Sequence, residues 1–364
     1  MAESTQQDAA AKKLRVAVCP GTGTNPYLQS LCGEIEALGC EIIPVPYTTY
    51  FLRAAPDAWR ADVVHIHWPD TYMVAKTAWK TCSKSCVFLF QVLLLRLRGA
   101  RIVWTAHNLA SHEGDSPRLQ SFFTWLFTRM CHRLLAHNSA CAEVVAEHYG
   151  VRRDKVCVVE HANYINDYPS GISRDDARRQ LGIEPGAFVF LFVGAIRGYK
   201  GVLELIEAFD ELGGSKAGGG EARLIVAGKP KTTAIDEEVR AKADAKAGVI
   251  YKNEFVPTDE MQVYMAAADV VVLPYRKIFT SGSLLLAASF GKAAIVPDVR
   301  TLVGTVDERG TIPFKADDPN GLIDAMRLAV AERATLEERG QASYASVAPW
   351  GWRQMAEATV AAYR

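Results

Sequence analysis

A length of 364 residues and a 49% apolar composition fit a globular protein of about two domains. Lys plus Arg and Asp plus Glu each number 41, so no net field points to nucleic acid as a main partner. The polar segment Met1–Lys13 lacks the apolar centre of a signal peptide, and no apolar run reaches membrane-spanning length. In chain order, apolar β-rich runs at 14–19, 41–47, 62–67, 101–105, 133–137 and 155–159 alternate with helical stretches. Near-continuous apolar strands separated by helices predict a parallel sheet covered on both faces. The polar stretch Asn163–Gly171 then marks a domain boundary, with 1–165 before it and 166–349 after it. The second half repeats the scheme at 188–193, 222–227, 249–251, 269–273 and 293–297, so eleven strands are expected. Gly213–Gly220 reads as a flexible loop, and the helix 350–364 as a segment that crosses back to the first domain.

The expected fold is α/β, two doubly wound Rossmann-like domains facing a central cleft, with ligands at the carboxyl ends of the strands. The eight cysteines (19, 32, 40, 82, 86, 131, 141, 157) show no C-x-x-C spacing and read as reduced thiols, mostly in the core, of a cytoplasmic protein. The loop Pro20–Tyr27 is a weak dinucleotide motif, because Pro26 stands where G-x-G-x-x-G needs its third glycine. His65 and His67 share one face of a strand end. A metal site there lacks a third ligand at suitable spacing, and satisfied core histidines are expected instead. The segment Cys82–Arg101, with Lys80 and Lys84 before or within it, has two readings: a helix resting on an anionic membrane surface at the inner face, or an internal helix with basic ends.

Two loops of the second half carry chemistry. Thr280-Ser-Gly-Ser283 follows the strand Asp269–Leu273 and opens an apolar helix. Small residues at a helix start leave backbone N–H groups and a positive dipole end for an anion, although a plain Ser-capped helix has the same signature. Ala195–Gly201 follows the strand Phe188–Val193, and Arg197 and Lys200 in it oppose the dipole of the next helix unless an anion lies between them. Gly194 and Gly198 are the expected turning points. With both loops at one sheet edge, a diphosphate is the economical ligand, gripped by the planar fork of Arg197 and the point charge of Lys200.

Leu191-Phe-Val-Gly-Ala-Ile-Arg-Gly-Tyr-Lys-Gly201, Arg223–Gly228 and Met265-Ala-Ala-Ala-Asp-Val-Val-Val-Leu-Pro274 resemble successive motifs of the GT-B nucleotide-sugar glycosyltransferases (group 1, family 4-like). The resemblance implies a hexosyltransferase that moves a sugar from a UDP- or GDP-linked donor to a carbohydrate or lipid-linked acceptor, in glycan or polysaccharide synthesis. It implies that Arg197 and Lys200 hold the donor diphosphate, together with Thr280, Ser281, Gly282 and Ser283. No resident cofactor and no divalent metal is then needed. One departure is clear: the E-x7-E pair of the large retaining group falls on Ile278 and Leu286, as in Glu-less exopolysaccharide-type transferases. On the acceptor side, "H-x-H-W-P" and "W-T-x-H-N" are shared with polysaccharide transferases of this fold. They point to His107 as the catalytic base, or as an orienting group for the sugar, with His112, Asp115 and Asp70 as rival bases. Gly23, Asn25, Tyr27, His67, Asp70, His161 and Asn163 are the expected sugar- or acceptor-side contacts, His161 and Asn163 having the alternative of fixing the linker. The other functions open at this point are a nucleotide-sugar epimerase and a non-catalytic nucleotide-sugar sensor.

Overall fold

The computed structural model describes residues 13–23, 25–109 and 116–364, which divide between two compact units. The first holds residues up to 136 together with 142–159 and 352–364. Its parallel sheet consists of β1 (Arg15–Cys19), β2 (Glu41–Pro44), β3 (Val63–Ile66), β4 (Arg101–Thr105), β5 (Arg133–Ala136) and β6 (Val156–Val158). The spatial order is β2-β1-β3-β4-β5-β6, so the winding reverses between β1 and β3. All four residues of β3 are buried, as a central strand covered on both faces requires. The helix Trp352–Ala362 packs against the helix Pro26–Ala37, and Tyr363 just beyond it is buried.

The second unit holds 137–141 and 160–351. Its strands are β7 (Phe188–Val193), β8 (Ala222–Ala227), β9 (Val249–Lys252), β10 (Val270–Val272), β11 (Ala294–Pro297) and β12 (Thr311–Phe314), ordered β12-β11-β10-β7-β8-β9. Here the winding reverses between β7 and β10. All six residues of β7 are buried, Phe190 and Phe192 completely, and each such side chain contributes about 1.5–3 kcal/mol of burial. β12 is the strand that the sequence pattern did not disclose. It is four residues long, carries Pro313 and lies at the sheet edge, the position where a strand tolerates proline.

At the amino edge of this sheet, Asp269 accepts hydrogen bonds from Arg178 Nη2 (2.9 Å) and the Val189 backbone N–H (2.8 Å), and it also pairs with Arg174. Arg178 is itself buried and donates through Nε to the Ala267 carbonyl at 3.1 Å. The aspartate of the Ala-Asp-Val motif therefore ties a helix, β7 and β10 together.

Several other expectations change. The division after Val159 comes before Asn163–Gly171, whose Tyr164 and Tyr168 pack on the second core. Gly214–Gly219 is not an open loop but a 3-10 helix that buries Ala217. All eight cysteines are free thiols and five are buried, Cys86 being exposed. The helix Ala78–Leu97 is not internal, since only one of its faces is covered.

Candidate active site

In the second unit, both loops singled out from sequence leave the sheet at the reversal between β7 and β10, the place where doubly wound sheets bind ligands. Gly194 turns the chain out of β7 at φ 134°, and a Cβ there would meet Ser283 Oγ at 3.2 Å and Lys200 Nζ at 3.7 Å. Gly201 begins the next helix at φ 68°, so close to the other loop that a Cβ would lie 1.9 Å from the Pro274 carbonyl oxygen. The demand expected at Gly198 thus falls on Gly201; Gly198 has an ordinary φ and open space where a Cβ would go. The Arg276 backbone N–H donates to the Tyr199 carbonyl at 3.0 Å, and Arg276 pairs with Glu204, which fastens the loops to each other.

Lys200 lies on a short 3-10 turn, Gly198–Lys200, with its ammonium 5.6 Å from the centroid of the buried Tyr275 ring. Burial holds this lysine below its ordinary pKa, with Tyr199 opposing the shift and the Arg197 charge adding to it. Arg197 is half-buried and donates to its neighbour's carbonyl, that of Ile196, at 3.1 Å. Ser281 is the N-cap of the helix Gly282–Ser289: its Oγ accepts from the Leu284 N–H at 3.2 Å and lies 3.3 Å from the Tyr275 hydroxyl. Ser283 Oγ donates to the Val193 carbonyl at 3.4 Å. Both hydroxyls are thus engaged within the fold. What the arrangement offers an anion is then the first-turn backbone N–H groups at exposed Gly282 and half-buried Ser283, with half-buried Thr280 preceding the cap. Ile278 packs against the apolar core and Leu286 is buried, so neither site of the missing glutamate pair presents a polar group.

The first unit makes a comparable edge at β1 and β3. Its Asn25 Oδ1 accepts from the Tyr27 N–H at 3.0 Å, capping the helix that follows β1, while Gly23 is exposed at φ 48°. His67 Nδ1 lies 3.1 Å from His107 Nε2. Trp68 stacks on the His107 ring at 4.6 Å, and the buried Tyr27 ring meets it edge-on at 5.1 Å. A cavity of about 30 Å³ opens beside them, with Asp70, Asn108 and Tyr149 also in its wall. Beneath lies His65, bonded at 2.7 Å to both the Tyr363 hydroxyl and Thr105 Oγ1. Burial pushes its pKa down to about 3, so it is a neutral core histidine. His112 and Asp115 lie outside the described residues.

The structure brings Tyr27, His67, Asp70 and His107 together, and separately Arg197, Lys200 and residues 280–283. His161 and Asn163 belong to neither group. Asn163 donates its amide N–H groups to the Val347 and Ala348 carbonyls, and its Oδ1 accepts from the Ile165 N–H, which fixes the backbone there. His161 Nδ1 donates to the Ala162 carbonyl at 2.8 Å, and burial lowers its pKa to about 4. Trp68 and Tyr275 are the site residues that sequence reasoning missed. Each is an aromatic residue in a loop just beyond a strand's carboxyl end, and that position is the signal by which the sequence discloses them.

Comparison with known proteins agrees with this architecture. The family described as "Glycosyltransferase Family 4" matches residues 18–162, and "Glycosyl transferases group 1" matches residues 187–332. A GDP-mannose:glycolipid 4-beta-D-mannosyltransferase of Xanthomonas campestris pv. campestris is 26% identical over 317 residues, covering 85% of this chain and 82% of the relative. Sucrose-phosphate synthase from Thermosynechococcus elongatus superposes with a TM-score of 0.74 at 15% identity, over 97% of this chain and 98% of its own. Anabaena Alr3699/HepE, solved in complex with UDP-glucose, gives 0.70 at 14% identity, over 95% and 99%. The chain belongs to the GT-B nucleotide-sugar glycosyltransferases. It is an enzyme of the hexosyltransferase kind.

Proposed function

We propose that this transferase takes a sugar from a UDP- or GDP-linked donor, passes it to a carbohydrate or lipid-linked acceptor, and needs no divalent metal to do so. The observation that carries this reading is the convergence at the β7/β10 reversal of Lys200, Ser283 and an uncovered helix start around Gly194. As the glycosidic bond breaks, negative charge gathers on the departing diphosphate. Arg197, Lys200 and the first-turn N–H groups of the helix Gly282–Ser289 meet that charge with cations and fixed dipoles. The relatives support both bases of the nucleotide: the Xanthomonas enzyme is named for GDP-mannose, and the Anabaena protein was solved with UDP-glucose.

On the acceptor side we assign His107 to the proton of the attacking hydroxyl. Its ring is held by His67, Trp68 and Tyr27, as a general base needs to be held. Titration calorimetry with UDP and GDP, in chelator, tests the donor site. Arg197→Ala and Lys200→Ala should each weaken nucleotide binding by about tenfold to a hundredfold, the worth of a charge-assisted hydrogen bond. Unchanged affinity in both variants, or binding that requires added metal, would refute the assignment. Proton NMR of the product tests His107: an inverted linkage fits a base in that role, and a retained linkage overturns it.

A further inference from the structure

The helix Ala78–Leu97 buries Thr81, Ser85, Phe88, Leu89, Gln91, Val92 and Leu95 on one face. Its other face carries Trp79, Phe90, Leu93 and Leu97, exposed by 79%, 60%, 42% and 75%. With exposed Ser83 and Cys86 between them, the spacing alternates four and three residues, which makes one continuous stripe along the helix. The neighbouring helix Pro117–Met130 packs beside it and adds Phe122 and Trp125, also exposed. Large apolar side chains left exposed in such a row mark an interaction face.

Charge says what it faces. The chain as a whole is neutral, yet no Asp or Glu occurs between Asp70 and Glu113, a stretch that holds Lys76, Lys80, Lys84, Arg96, Arg98 and Arg101. Lys76 and Lys80 are exposed at one end of the stripe and Arg98 at the other, and Arg118 and Arg129 flank the aromatic pair on the second helix. Arg129 lies over the Trp125 ring at 4.7 Å. A second copy docked on this face would set cation against cation. A surface of phosphates would neutralise them, with the aromatic and leucine side chains at the depth where such residues partition. Among the described residues no helix is long and apolar enough to cross a membrane.

We propose that the outer faces of Ala78–Leu97 and Pro117–Met130 seat this protein on an anionic lipid bilayer. The proposal does not depend on the donor site, so the two readings fail separately. The test is co-sedimentation of the full chain with vesicles of phosphatidylcholine alone or mixed with phosphatidylglycerol. Binding should require the anionic lipid and weaken with salt. It should fall by roughly tenfold or more in Phe90→Ser/Leu97→Ser and in Lys80→Glu/Arg98→Glu, whose side chains are exposed. Melting temperature and circular dichroism establish that the variants fold. Absence of vesicle binding, or binding unchanged in both variants, overturns the proposal. So does a dimer in sedimentation velocity that Phe90→Ser/Leu97→Ser disperses while the wild type ignores vesicles.

Discussion

Gly201→Ala is the sharpest probe of the donor-side loops. Gly201 sits at φ 68°, and an added Cβ would lie 1.9 Å from the Pro274 carbonyl oxygen, where real Cβ contacts stop at 3.0 Å. The left-handed backbone alone costs a non-glycine residue about 1–2 kcal/mol. The contact then forces the two loops apart by about 1.1 Å (3.0 − 1.9), at the junction that holds Lys200 beside Tyr275. Taking roughly 2 kcal/mol as the lower bound, the melting transition of the second unit should drop by about 4–8 °C. The upward shift in melting temperature that UDP or GDP produces in the wild type should shrink with it. Differential scanning fluorimetry with and without nucleotide reads both effects. Gly198→Ala, three residues earlier with an ordinary φ and open space, is the matched control and should stay within about 0.5 kcal/mol of wild type. If Gly201→Ala melted like that control and kept its nucleotide response, the close joint between these loops would be refuted.

Asp269→Asn should destabilise the second unit by about 3–5 kcal/mol, because it leaves the buried Arg178 guanidinium without its charge partner. Urea unfolding with a midpoint unchanged from wild type would contradict that role. The acid side of the stability profile should carry the mark of His65. Its folded pKa of about 3 lies below the ordinary 6.5, so between those values the unfolded chain binds a proton that the folded chain refuses. The contribution of His65 to stability is therefore lost as pH falls below about 6.5, by at most about 1.4 kcal/mol per pH unit, and levels off near pH 3, with His161 adding a loss of the same sign down to about pH 4. His65→Asn should flatten that slope in urea midpoints taken across the range; an unaltered slope would show that another group sets it.

The winding of both sheets was legible because parallel strands buried on both faces leave an unmistakable apolar signature, as Phe188–Val193 does. Thr311–Phe314 escaped because an edge strand with a proline lacks it. The donor-side loops were legible as cations and small residues after strands, but their internal bonding was not. Ser281 and Ser283 read as ligand donors from sequence, and they turn out to be engaged by Leu284 and Val193. The same holds for Asn25, whose Oδ1 serves the Tyr27 N–H, and for Asn163, whose amide reaches the Val347 carbonyl 184 residues away. A side chain's type announces what it can bond, while its partner depends on contacts that sequence separation hides. Both histidines of the pair are buried, as satisfied core histidines are expected to be; His65 bonds within the core to Tyr363 and Thr105, and His67 pairs with His107 at the site.

That core histidine has one more implication. His65 is bonded to a hydroxyl 298 residues further along the chain, that of Tyr363. The first unit therefore cannot finish folding when its own sheet has been synthesised. It waits, with the surface of the helix Pro26–Ala37 uncovered, until the whole second unit and the helix Trp352–Ala362 have left the ribosome. The usual order in which N-terminal domains mature first should therefore be inverted for this chain. The second unit is complete before the first can close, and it is the first that stands exposed to chaperones and proteases during synthesis.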